Sequence, residues 1–225
     1  MSESIHLADR LSLGDLQTYL GRAARVDDGS VRIIGGSGIL AVYTAILYPR
    51  GILDETPTVL GLRTFSLADR AEFDDVVPMR SLTMRVEDAL TRSGDGEAAV
   101  PFTRPHGVST VTWAGISPPR GGWVPHDPVP QQVLEDAARI GIAEVADVVP
   151  ENSGEQIVEK VRSQVWGRPM EGLEFVPAGA AFAALSLGFL GGDEDVAIFE
   201  TGPWTRLSTR RGHVLVRRRA WSLKG

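Results

Sequence analysis

A chain of 225 residues, 43% hydrophobic and 23% charged, is long and apolar enough to bury a sizeable core. It contains no cysteine, which excludes disulfides, thiolate nucleophiles and cysteine-ligated zinc, and which suits a reducing cytoplasm. The net charge of −6 is uneven: seven Lys or Arg and no acid lie from Thr205 onward, leaving 16 basic against 29 acidic groups in the 204 residues before it. A basic end on an acidic body points to an anionic ligand, a nucleic acid or the chain's own acidic surface as its counterpart.

Taken in order, Ser12 and Asp15 form a capping-box pair, and Leu13, Leu16, Leu20 and Ala23 recur at helical spacing. A helix is therefore predicted to about Val26, with Asp28-Gly29 turning the chain into a strand that starts at Val31. Gly36-Ser37-Gly38-Ile39-Leu40-Ala41 then matches the G-x-G-x-x-A pattern of dinucleotide folds. The run that follows, ILAVYTAILY, has no charged face and is rich in β-branched and aromatic residues, so it reads as a buried strand. The glycines are better explained by a hairpin turn. A further strand over 58–67, a helix over 80–92 and paired strands over 98–102 and 109–116 complete a strand-rich first half.

Residues 118–130 concentrate proline and glycine and read as a linker between a half at 1–117 and a half at 131–225. Beyond it, Val133, Ala137, Gly141 and Val145 recur every fourth residue in a helix with acidic exposed positions. Ser153 and Gln156 cap a second helix, whose stripe is Ile157, Val161 and Val165. A third covers 178–190 with small residues Ala180, Ala184 and Gly188 along one face; residues 175–192 carry no charge, and Pro177 and the many Gly and Ala favour burial over a membrane span. Strands over 196–200, 204–208 and 213–217 close the chain. The fold class expected is α+β, a strand-rich antiparallel first half with two helices followed by a helical second half closed by a small antiparallel sheet.

Chemistry is sparse. None of His6, His106, His126 and His213 has a second ligand at helical spacing, so no metal and no cofactor is predicted. No G-x-S-x-G elbow occurs, the acid pairs Asp54/Glu55 and Asp74/Asp75 suit solvated loops, and no catalytic residue is assigned. The hairpin after Trp204 is more informative. Trp204, Arg206, Arg210, Arg211, His213 and Arg217 combine guanidinium forks with an aromatic platform, a pattern that binds carboxylate or phosphate.

The runs LAVYTAILYPRGILDETPTVLGLRTFSLAD, TWAGISPPRGGW, VWGRP and WTRLSTRRGHVLVR resemble an uncharacterised protein family of high-GC Gram-positive bacteria. That resemblance spans most of the chain and implies no activity and no functional residues. The residues themselves lead to a cytoplasmic, non-enzymatic binding or self-association module with an anion-facing hairpin and no membrane partner. Self-association would use the helix over 178–190, and nucleic acid or another anion the hairpin. Two alternatives stand beside it. One is a small-molecule binder or enzyme using a cleft near Trp123, His126 and Asp127; the other is a winged-helix-like nucleic-acid binder, which the uncharged third helix disfavours.

Overall fold

The computed structural model describes residues 4–51, 54–94, 98–108, 111–115, 117–148 and 154–218. They form two compact units: residues 1–45 with 62–116, and residues 46–61 with 117–225. Both combine antiparallel strands with helices, so the fold is α+β.

In the first unit, β1 (Ser4–Ile5) precedes α1 (Arg10–Ala24), β2 (Ser30–Gly36) and β3 (Ile39–Leu47). Then come β4 (Thr58–Ser66), β5 (Phe73–Pro78), α2 (Met79–Ser93) and β6 (Phe102–Thr103). Strands β3 and β4 give their ends to the second unit. The strand order here is β5-β2-β3-β4, with β1 and β6 paired separately. Gly36 pairs with Ile39, so Ser37 and Gly38 make a two-residue hairpin in which both have positive φ, +55° and +79°. The G-x-G-x-x-A run is thus a β-turn, not a nucleotide loop.

Helix α1 buries Leu13, Leu16, Tyr19, Leu20 and Ala23, and α2 buries Met79, Leu82, Val86 and Ala89. The two helices pack together. Tyr19 is wholly buried, and its hydroxyl meets Thr44 Oγ1 at 2.9 Å, which satisfies the one polar atom that the ring takes inside. The cap of α1 is Asp9, whose Oδ1 accepts from Ser12 N–H at 2.6 Å. Asp15, expected to complete a capping box with Ser12, pairs instead with Arg63. The strand expected over 109–116 is a 3-10 turn, Thr112–Gly115, that buries Trp113; residues 109, 110 and 116 lie outside the described set.

The second unit holds β7 (Val124–Val129), α3 (Gln131–Val148), α4 (Glu155–Trp166), β8 (Pro169–Met170), β9 (Leu173–Pro177) and α5 (Ala178–Ser186). Strands β10 (Val196–Thr201), β11 (Trp204–Thr209) and β12 (Gly212–Arg217) follow. Its strand order is β4-β12-β11-β10-β7. The proline-rich stretch read as a linker therefore contains a strand. Among the described residues β7 is an edge strand paired with β10, and an edge tolerates Pro125 and Pro128 because an N–H pointing away from the sheet is not needed there.

Helix α5 packs on α3 and β12 and is buried within its own unit, so its small residues serve internal packing and not a subunit contact. Gly141 of α3 lies under the Trp166 ring, 2.2 Å from where a Cβ would stand. That is why a glycine interrupts this helix. At the start of α4 the cap position is Gly154, without a side-chain bond; Ser153 lies outside the described residues.

Candidate functional site

The basic hairpin is β11–β12. Its register places Arg206 opposite Phe199 on β10 and Leu215 on β12, while Ser208 opposes His213 and Trp204 opposes Arg217. Alternation then puts Trp204, Arg206 and Ser208 on one face of β11.

The Arg206 guanidinium lies 4.5 Å from the Phe199 ring centroid and 4.7 Å from that of Trp123. Its Nε is buried with no hydrogen-bond partner, and desolvation holds its pKa below the usual arginine value. His213 Nδ1 and Ser208 Oγ are 2.9 Å apart. Burial, then the Arg206 charge, pushes His213 below the ordinary histidine value. The aromatic rings thus stack on a guanidinium from the same sheet.

Arg210 and Arg211 of the hairpin are also engaged. Arg210 Nε reaches Glu194 Oε2 at 2.7 Å, and its backbone N–H donates to Glu194 Oε1 at 2.8 Å. Arg211 donates to the carbonyls of Leu190 and Gly191 at 2.9 and 3.0 Å, closing the turn after α5. Trp204 is 4% exposed and offers no platform to a ligand. Arg217 is half-buried beside it in the register.

Of the residues expected near a cleft, Trp123 covers Arg206 and donates through Nε1 to Pro119 O at 3.1 Å. His126 Nε2 meets Glu200 Oε2 at 2.8 Å, and its ring rests 5.1 Å from that of Phe175. Arg218 donates to the other Glu200 oxygen at 2.5 Å. Asp127 is exposed on β7 and joins neither group. Sequence reasoning missed Phe199, Glu194 and Glu200. The turn at Gly202-Pro203 was the available signal, because it sets Thr201 against Trp204 and so Phe199 against Arg206.

Gln131, at the start of α3, is buried and holds the neighbouring turn. Its Oε1 accepts from Gly191 N–H at 2.7 Å and Gly192 N–H at 3.2 Å, and its Nε2 donates to Glu194 O at 2.7 Å. The acid pairs are likewise structural: Asp54 accepts from the Arg50 and Thr56 amides, Asp74 pairs with Arg32, and Asp75 with Arg104. Among the described residues no cluster of His, Asp or Glu could hold a metal ion. Among them, no helix is long and apolar enough to cross a membrane.

Residues 1–109 match the family model of a domain of unknown function, DUF8010, and residues 118–221 match a second domain of unknown function, DUF8185. No curated protein matches the sequence. Solved structures do. A protein from Eubacterium rectale assigned as a DNA polymerase III beta subunit aligns over 99% of this chain and 67% of its own, at 10% identity and a TM-score of 0.50. The DNA polymerase sliding clamp of Pseudomonas aeruginosa aligns over 98% and 65%, at 13% identity and 0.47. The DNA polymerase III beta subunit of Thermotoga maritima aligns over 95% and 64%, at 13% identity and 0.49.

The chain therefore spans about two thirds of the length of these proteins. The first likeness shows the fold alone, one shared with the protein assigned as a DNA polymerase III beta subunit. It corrects the expectation of a module built on an anion-facing hairpin, and with it the cleft and winged-helix alternatives. The hairpin geometry agrees, since Arg206, Arg210, Arg211 and Arg218 are directed to rings, carboxylates and carbonyls of their own unit.

Proposed function

We propose that this chain is a clamp-type subunit, several copies of which assemble around duplex DNA and hold it without reacting with it. The observation that carries the reading is the fold likeness across 99% of the chain to a protein assigned as a DNA polymerase III beta subunit. Holding requires no reaction centre. The reading calls for self-association. A cytoplasmic place of action belongs to the same proposal.

The charge favours enclosure over adhesion. A protein of net charge −6 gains little from releasing the counterions of phosphates, the term that drives ordinary DNA binding. A closed assembly is retained by topology, and topology is indifferent to salt.

The test traps the protein during ring closure of the DNA. Linear duplex is circularised by ligation in the presence of the protein, washed at high salt and separated by size. The expected result is protein that stays with the circles and is released by a single restriction cut. Absence of protein from the circles, or equal retention on the cut duplex, overturns the reading.

A further inference from the structure

Cross-strand pairing in the second unit brings a hydroxyl and an imidazole together on the sheet face that carries Arg206. Ser208 on β11 stands opposite His213 on β12, with Ser208 Oγ 2.9 Å from His213 Nδ1. That lies within the range, about 2.6–3.2 Å, over which a base takes the proton of a hydroxyl nucleophile. Both residues are half-buried, so each is open in part to solvent.

The surroundings favour the base form of the ring. Burial, and then the Arg206 charge, holds His213 below the ordinary histidine value, so it is neutral at pH 7. In the tautomer protonated at Nε2, Nδ1 accepts from the Ser208 hydroxyl. Arg206 is the charged group that acts on the ring from β11, and on β12 itself Arg217 shares its face four residues on. In the turn before His213, Arg210 is held by Glu194 and Arg211 by the carbonyls of Leu190 and Gly191. On the other side of β12, the part of β4 that belongs to this unit, residues 58–61, has no titratable side chain.

The neighbouring strand shapes the approach. Ala197 on β10 opposes Ser208, and its short side chain leaves the hydroxyl open on that side. Two residues along, Phe199 opposes Arg206, whose guanidinium also lies beside the Trp123 ring. These rings form an apolar wall next to a small floor, which suits a short acyl group. Arg206 stays between its rings and acts through its field alone.

We propose that Ser208 is a nucleophile toward small activated carboxylic esters, with His213 as its base. Ser208 Oγ bonds to the ester carbonyl carbon while His213 Nδ1 takes the hydroxyl proton and the carbonyl electron pair moves onto oxygen. A positive field nearby favours that oxyanion. As the oxyanion collapses, the bond to the leaving oxygen breaks, and the leaving group takes the proton from Nδ1. Ser208 is left as an ester. Water then attacks the acyl carbon and gives a proton to Nδ1, which returns it to Ser208 Oγ as the carboxylic acid departs. This activity needs neither DNA nor assembly, so it stands apart from the clamp reading.

The test mixes the full chain with p-nitrophenyl acetate, follows nitrophenolate release and, after acid quenching, locates acetyl groups by peptide mass. The expected result is acetylation of Ser208 roughly a hundredfold faster than in the urea-unfolded chain. Ser208→Ala should remove this mark, Ser208→Cys should keep acylation at that position, and His213→Asn should slow it about a hundredfold. Circular dichroism confirms folding of each variant. The rate should fall with acid along the His213 midpoint read by NMR, and Arg206→Met should move midpoint and rate profile to higher pH together. Acetyl groups confined to lysines or the amino terminus, release indifferent to Ser208→Ala, or Ser208 acetylation indifferent to His213→Asn overturns the proposal.

Discussion

The guanidinium of Arg206 sits 4.5 Å from the ring of Phe199, its directly opposed neighbour on the adjacent strand, with the ring of Trp123 close by. A half-buried cation held between rings, its Nε shut off from water, resists recruitment by an external anion, and its field reaches His213.

Burial of His213, and then that field, makes folding sensitive to acid. His213 is protonated less readily folded than unfolded, so below the ordinary histidine value of 6.5 the unfolded chain binds the extra proton. The contribution of His213 is thus fully present above about pH 6.5 and declines as pH falls through that value toward its lower folded pKa. Urea titrations from pH 7.5 to 5 should show this decline and its reduction in His213→Asn. Arg206→Met should move the His213 midpoint upward in an NMR titration. An unmoved midpoint would exclude the Arg206 field as a cause.

Gln131 makes three hydrogen bonds to the turn after α5 while nearly excluded from solvent. Gln131→Leu strands two amide donors and a carbonyl, each costing about 1–3 kcal/mol where water cannot reach. The expected loss is about 2–4 kcal/mol by equilibrium urea unfolding. A loss under about 0.5 kcal/mol would mean that water replaces the side chain.

Two helix glycines should respond in opposite directions to the same change. Gly141→Ala drives a methyl into the Trp166 ring and should destabilise by about 1–3 kcal/mol. Gly21→Ala meets nothing and should stabilise the folded chain by up to about 1 kcal/mol. Thermal melts of the two variants, measured under dilute conditions, provide the comparison.

Where local chemistry decides conformation, the sequence was readable. The helix expected over 80–92 appears as Met79–Ser93, and Gly36 and Gly38 belong to a hairpin turn, Gly36 closing it and Gly38 within it. Strand β5 escaped notice because FDDVVP places acids at 74 and 75, and only distant Arg32 and Arg104 make a strand there tolerable. β7 hid behind its prolines, whose acceptability depends on sitting at an edge. Similarly, the arginines of the candidate site stood out by composition, whereas their use depends on Glu194, Glu200, Phe199 and Trp123, which tertiary pairing brings to them. Charge near charge in sequence says little about what each has already found in space.

Two of the six residues of β7 are prolines, so four N–H groups must serve both β10 and the open side of the strand. An arriving strand would find a ladder with rungs missing. Sheet growth past this margin is discouraged, in crowded solution as in a misfolded encounter.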